Sequence, residues 1–82
     1  MLKKVVVTNA ALDEENSKAV AAVCAKFRSR TMIETGKRTV KGTDAPALAK
    51  CGVAQNERVR LIIEGEDEKA AWEALKDLMN TL

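Results

Sequence analysis

Very few side chains in this 82-residue sequence could act as nucleophiles, general bases or metal ligands. The chain contains no histidine, and its two cysteines, Cys24 and Cys51, are too far apart for a C-x-x-C motif. Both cysteines fall at positions typical of apolar helix faces, so we expect free, buried and inert thiols rather than a redox or metal site. We therefore predict no catalytic residue, metal or cofactor, and we do not expect an enzyme.

The densest group of ionisable residues is Asp13-Glu14-Glu15, which is followed by Asn16, Ser17 and Lys18. Asp13 could in principle form an acyl phosphate, but no metal or lysine partner that would stabilise one is near it in sequence. Carboxylates suit the partial positive charge at a helix N-terminus, and Asp13, Asn16 and Ser17 are all candidate N-caps. We therefore predict that this run begins a helix.

Basic residues form the other candidate surface. Seven of them could lie on a sheet and contact phosphates: Arg28, Arg30, Lys37, Arg38, Lys41, Arg58 and Arg60. The net charge is only +2, however, and the only aromatic residues, Phe27 and Trp72, lie near apolar helix stripes, so no base-stacking platform forms. We prefer a solvated sheet face with cross-strand ion pairs, and a nucleic-acid-binding sheet is the alternative function.

The strongest pattern lies at the C-terminal end. Val59, Leu61 and Ile63 alternate with polar residues over 58–64, as in a half-buried strand. After Gly65 and the acidic run 66–68, a helix is predicted from an apolar stripe with helical spacing: Ala71, Leu75, Leu78, Met79 and Leu82.

The other elements are shorter. Strands are predicted at 4–8, 30–34 and 38–41, with Gly36 at positive φ in a hairpin turn. A first helix carries the stripe Val20, Val23, Cys24 and Phe27, and a second begins at Thr43-Asp44-Ala45-Pro46 and ends at Gly52. The order β-α-β-β-α-β-α predicts an α+β open-faced sandwich, a four-stranded antiparallel sheet covered on one face by three helices.

The length indicates one domain, residues 1–82. No apolar run approaches the ~20 residues of a membrane span. Met1-Leu2-Lys3-Lys4 leads directly into a strand rather than into the apolar region of a secretory signal. We expect no membrane association and a cytoplasmic location.

The element order, the run Glu64-Gly65-Glu66-Asp67-Glu68 and the stripe that follows it resemble the histidine-containing phosphocarrier (HPr) family of the bacterial phosphoenolpyruvate-dependent sugar phosphotransferase system. Residues 52–56 are similar to the family's turn after the second helix, residues 4–8 to its first strand, and Gly36-Lys37 to its hairpin. The resemblance implies an HPr-like fold over nearly the whole chain.

The resemblance does not extend to the active site. The family places a phosphorylatable histidine, one residue, an arginine and a proline at the start of the first helix. The corresponding stretch here is Leu12 to Lys18, and no arginine precedes Arg28. Since there is no imidazole to attack a phosphoryl group, composition alone excludes a phosphohistidine carrier.

The family's second site is a regulatory serine that opens the second helix and corresponds here to Asp44, with Thr43 adjacent. An N-cap is the preferred interpretation of Asp44. The alternatives are that Asp44 replaces a phosphoserine by a fixed charge, or that Thr43 is itself phosphorylated.

The resemblance implies a non-catalytic, regulatory or adaptor protein related to this transport system, which binds an unidentified protein partner through its first two helices. We expect a monomer. The predicted partner surface consists of small residues with lysines at its edges: Lys18, Ala21, Ala22, Ala45, Ala47, Ala49 and Lys50.

Overall fold

Four strands and three helices alternate along the chain in the computed structural model, which describes all of residues 1–82. The strands are β1 (Leu2–Val7), β2 (Arg30–Glu34), β3 (Thr39–Lys41) and β4 (Arg58–Glu64). The helices are α1 (Glu14–Ala25), α2 (Ala45–Lys50) and α3 (Glu68–Thr81). The predicted order is confirmed. None of the three helices has the length and apolar character needed to cross a bilayer.

The strands form one antiparallel sheet in the order β1-β4-β2-β3. Alternate residues of β4 are buried, namely Val59, Leu61 and Ile63, and the three helices pack on that side. Val6 of β1 points to the same side, whereas Val5 and Val7 point away from it, as the alternation predicts. The sheet is therefore covered on one face, and the predicted open-faced architecture is confirmed.

One core lies between the sheet and the helices. It contains fourteen buried apolar residues, six of which belong to β4 and α3. Ala71, Leu75 and Met79 of the predicted α3 stripe are fully buried, while Leu78 and Leu82 are only partly buried at its margin. Burial of each large apolar side chain in this core contributes about 1.5–3 kcal/mol to stability. Neither β4 nor α3 could bury its apolar side alone, so the two elements depend on packing against each other and against the rest of the chain.

The segment before α1 is anchored to the turn before β4. Thr8 is fully buried, and its hydroxyl donates to the Ala54 carbonyl at 2.6 Å and accepts from the Glu57 N–H at 3.1 Å. The buried Leu12 donates its N–H to the Val53 carbonyl at 2.9 Å. These long-range bonds place the first turn of α1 beside the end of α2.

Two local predictions are corrected. Phe27 lies beyond α1, which ends at Ala25, and packs at the edge of the core from the following loop. Gly36 does not adopt positive φ. Instead the Thr35 hydroxyl organises the hairpin turn, since it donates to the Arg38 carbonyl and accepts from the Lys37 N–H. Gly52 and Asn56 do adopt positive φ, at 66° and 63°.

A second junction ties the loop after α1 to the start of α3. The Asp67 carboxylate accepts hydrogen bonds from the N–H groups of Arg28 and Ser29, both at 2.9 Å, and from the Ser29 hydroxyl. Gly65 has φ 152°, and a Cβ there would lie 2.6 Å from the Ser29 Cα, so only glycine fits. Asp67 therefore bonds across the fold and makes no side-chain cap of its own helix.

Candidate functional site

The start of α1 is the position at which the resemblance implies the family's chemistry. Asp13 is the N-cap, with an extended backbone and an Oδ1 that accepts the Asn16 N–H at 2.8 Å. Asn16 and Ser17 are not caps, because the Asn16 side chain donates to the Ala11 carbonyl and the Ser17 hydroxyl donates to the Leu12 carbonyl. The predicted helix start is confirmed, with Asp13 as the capping residue.

The charges around this N-terminus are unfavourable for an incoming phosphoryl group. Asp13, Glu14 and Glu15 are all exposed, and Glu14 pairs with Lys18 one turn later at 3.7 Å. Lys18 pairs with Glu14, and Asp13 takes part in none of the ion pairs of the chain. The chain also brings together no group of three or more potential metal ligands. The arrangement can cap a helix and interact with cations, and it contains neither an imidazole nor an arginine that could clamp a phosphoryl group.

An aspartate also caps the start of α2. The Asp44 Oδ1 accepts the Ala47 N–H at 3.2 Å, which makes Asp44 the N-cap, and Pro46 lies in the first turn. Thr43 is exposed in the preceding turn and makes no side-chain hydrogen bond. The structural role expected for Asp44 is thus visible in the geometry, while Thr43 has a free hydroxyl.

A cleft of about 280 Å³ lies between α1 and α2. Its lining combines small apolar side chains with charged ones: Glu14, Lys18, Ala45, Pro46, Ala49 and Lys50. Four of these were predicted as partner-surface residues, namely Lys18, Ala45, Ala49 and Lys50. The structure brings them together on one side of the helical layer.

The remaining predicted surface residues lie outside the cleft. Ala22 is exposed, Ala21 is half-buried, and Ala47 packs against the core, so a bulky residue at Ala47 would disturb packing as well as a surface. Sequence reasoning did not assign Glu14 and Pro46 to this surface. The spacing of four residues between Glu14 and Lys18, which brings side chains together on a helix, was the available signal for Glu14.

The cysteines are both free. Cys24 is buried in the core, and burial raises the pKa of its thiol to about 11, so the reactive thiolate is scarce. Gly42 packs directly on it, since a Cβ at Gly42 would lie 2.6 Å from the Cys24 Sγ. Cys51 differs from the expectation because it is only half-buried, at the end of α2.

The predicted basic residues do not form one continuous group. Arg30, Lys41, Arg58 and Arg60 lie on the uncovered sheet face. Lys37 is in the hairpin turn, Arg38 precedes β3 instead of beginning it as predicted, and Arg28 is in the loop before β2. Arg60 pairs with Glu34 of the neighbouring strand at 3.5 Å, an ion pair of the kind expected for a solvated sheet face. Neither aromatic residue lies on this face. Phe27 packs on the core, and Trp72, which is in α3, has the ammonium groups of Lys4 and Lys76 over its ring.

Comparison with protein families identifies the chain. A family model described as the phosphotransferase system HPr component phosphorylation site matches residues 2–81. The chain therefore belongs to the HPr family of the phosphotransferase system. A comparison with curated protein sequences finds no significant match.

Solved structures agree with this assignment. A structure described as HPr-C-His from Thermoanaerobacter tengcongensis has 25% identity and a TM-score of 0.89, and the match covers 99% of this chain and 93% of that one. The phosphocarrier protein HPr of Bacillus anthracis has 20% identity and a TM-score of 0.87, with 95% of each chain covered.

A third structure is Crh of Bacillus subtilis, described as a catabolite repression protein and as a swapped dimer. It has 24% identity and a TM-score of 0.77, with 92% of this chain and 86% of that one covered. At these identities the B. anthracis and B. subtilis proteins show a shared fold only. The monomeric state expected for this chain stays a prediction.

Proposed function

We propose that this chain is a non-catalytic member of the HPr family, a regulatory or adaptor protein that binds a partner protein through α1 and α2. It does not carry a phosphoryl group on histidine. The observation that carries the proposal is the replacement at the start of α1, where a capping aspartate and two exposed glutamates stand in a chain without histidine.

The helix N-terminus itself supports this view. The resemblance implies that in other family members the backbone N–H groups of this turn and an arginine bind the oxygens of the phosphoryl group. Here the Asp13 carboxylate already accepts the Asn16 N–H, and the next two side chains add negative charge. An anion that approached this turn would have to displace the cap and overcome the repulsion of three carboxylates.

The cleft between α1 and α2 is the proposed binding surface. Small side chains at Ala45 and Ala49 allow a partner's side chain to approach the helices closely, while Lys18 and Lys50 lie at its edge. Lys50 makes no ion pair within the chain, so its charge is available to an acidic group of the partner. The cleft suits a protein partner because the cleft has an apolar centre and a charged rim, as protein interfaces do.

Regulation at the start of α2 is part of the proposal. Asp44 places an exposed carboxyl group at the position that the resemblance aligns with the regulatory serine, and its role as a cap is compatible with a second role at the partner surface. Crh of B. subtilis, described as a catabolite repression protein, is a precedent for a regulatory role on this fold.

The experiment that tests the proposal is capture of partners from the source organism with the tagged chain, followed by affinity measurement for each purified partner. We expect Ala49→Glu and Lys50→Glu to weaken binding by at least about tenfold, because both place a carboxylate in the cleft. Lys69→Glu is the matched control for Lys50→Glu, since it makes the same charge change on the exposed side of α3. Partners whose affinity is unchanged by both cleft substitutions would contradict the proposed surface.

A further inference from the structure

The uncovered side of the sheet, the open face, carries both apolar and cationic side chains. It consists of the outward-pointing residues of the four strands: Lys3, Val5, Val7, Arg30, Met32, Glu34, Thr39, Lys41, Arg58, Arg60, Ile62 and Glu64. No helix packs on this side. It is thus separated from the α1 and α2 surface by the full thickness of the domain core.

Apolar side chains occupy the middle of the open face. Strand register places Ile62 beside Met32, with Lys3 and Lys41 at the two ends of that row. Val5 and Val7 are 57% and 48% exposed, which makes them, with Met1, the most exposed large apolar residues of the chain. Exposed apolar side chains that adjoin one another on a sheet indicate a binding surface more often than isolated ones do.

The charge on the open face is one-sided. Its five cations, Lys3, Arg30, Lys41, Arg58 and Arg60, face two carboxylates, Glu34 and Glu64, whereas the whole chain has a net charge of only +2. Arg60 is paired with Glu34, but Arg58 and Arg30 make no ion pair. Strand register places Glu64 opposite Arg30, whereas Val7 lies opposite Arg58, so Arg58 is the guanidinium group of this face with no carboxylate opposite it, and it favours an acidic partner.

A depression of about 340 Å³ concentrates these properties beside the hairpin turn. Its walls include Val5, Glu34, Thr35, Arg58 and Arg60, so the Arg58 guanidinium, which makes no ion pair, lies beside the Arg60–Glu34 pair and an exposed valine. Guanidinium groups bind carboxylates through paired hydrogen bonds, and a depression of this size admits an acidic side chain.

We propose that the open face is a second docking surface, which binds an acidic segment of a partner protein. A carboxylate of the partner enters the depression and pairs with Arg58, which makes no ion pair within the chain, and apolar side chains of the same segment pack on Val5 and Val7. Protein interfaces are enriched in arginine and methionine around an apolar centre, which matches this face. Nucleic acid is disfavoured because no aromatic side chain lies on this face to stack on a base.

The test is titration of the isotopically labelled full chain with a synthetic peptide of alternating glutamate and valine, followed by amide NMR. We expect shifts confined to β1, β4 and the hairpin turn, and weaker binding at higher salt. Arg58→Glu with Arg60→Glu should weaken binding by at least about tenfold, and Arg58→Gln, which breaks no ion pair, by about threefold or more. Lys26→Glu with Lys69→Glu is the charge-matched control and should change the affinity by less than about twofold.

Other outcomes would overturn the proposal. These are an absence of shifts at millimolar peptide, shifts centred on α1 and α2, or an equal loss of affinity in the control variant. If the chain bound an oligothymidylate, or vesicles containing phosphatidylglycerol, more tightly than the acidic peptide, the proposed partner would be wrong and the open face would be assigned to nucleic acid or membrane instead. Ala49→Glu lies in the cleft between α1 and α2 and should leave peptide binding unchanged. A failure of the open-face proposal can therefore be told apart from a failure of the proposed α1 and α2 surface.

Discussion

The strand–helix pair formed by β4 and α3 contributes six of the fourteen core residues, whereas the first turn of α1 is exposed except for Asn16 and the buried Ser17. The first region is constrained by packing, since Leu61 and Leu75 are fully buried. The second has the Asp13 cap and three exposed carboxylates, and Ser17 is its one fully buried residue. A family fold can therefore persist through its packed region while the residues that carried its chemistry are replaced.

The comparison predicts that a core truncation is the most damaging change. Leu61→Ala should lower the free energy of unfolding by about 2–5 kcal/mol, because it leaves a cavity beneath the helices. Lys50→Ala in the α1 and α2 cleft should change it by less than about 0.5 kcal/mol, since Lys50 is exposed. Urea denaturation of both variants measures the difference, and similar losses would remove the proposed distinction between the two regions.

A smaller effect is expected at the junction between β4 and α3. Gly65→Ala should cost about 1–3 kcal/mol, since the new Cβ meets the Ser29 backbone and φ is positive. Gly36→Ala is the control, because nothing lies within 4 Å of a Cβ there and its φ is not positive. Thermal unfolding of both variants checks this prediction. It would be wrong if the two substitutions had equal effects.

In the replaced region, the role of Asp13 as a cap can be measured directly. Asp13→Ala should destabilise the protein by about 0.5–2 kcal/mol, while Asp13→Asn, which keeps an acceptor for the Asn16 N–H, should retain most of the stability. Denaturation with urea at neutral pH provides the values. If Asp13→Ala had the same free energy of unfolding as the parent chain, the carboxylate would have a role other than capping.

The smallest effect concerns pH. The Ser29 hydroxyl and the Arg28 N–H hold the pKa of the Asp67 carboxyl below its ordinary value of 3.8. The ionised form is favoured in the folded state, so its stabilisation is present above pH 3.8 and is lost as the pH falls through the lower folded-state pKa.

Asp67→Asn should therefore lower stability at neutral pH and lose less stability on acidification than the parent chain. Asp77→Asn, on the exposed side of α3, is the control and should follow the parent. Melting temperatures measured from pH 7 down to about 2 test this difference, and parallel curves for Asp67→Asn and the parent chain would contradict it.

The parts of the fold that were predictable have local patterns. The alternation in β4, the α3 stripe, the cap at Asp44 and the positive φ of Gly52 follow from periodicity and turn chemistry. The bonds of Asp67 to the loop before β2 were not predictable, because they join residues distant in sequence, and an acid before a helix is normally read as a helix-terminal charge. The position of Phe27 beyond α1 likewise depends on where the chain must turn to enter β2.

The candidate site was predictable only in part. Composition revealed the missing imidazole, and helix-start signals located Asp13 and Asp44. The cleft was not predictable in detail, because Glu14 and Pro46 join it only through the packing of α1 against α2. The open face required strand register, which places Val5 and Arg60 side by side.

The most direct test of the central claim is intact-mass measurement after incubation with phosphoenolpyruvate and the general phosphotransferase enzyme, with a histidine-containing HPr protein as the positive control. We predict that the control gains one phosphoryl group and that this chain gains none, since it has no histidine and a capping carboxylate at the start of α1. A phosphoryl adduct on this chain, abolished by Asp13→Asn, would contradict the account and establish a phosphocarrier that uses a carboxylate.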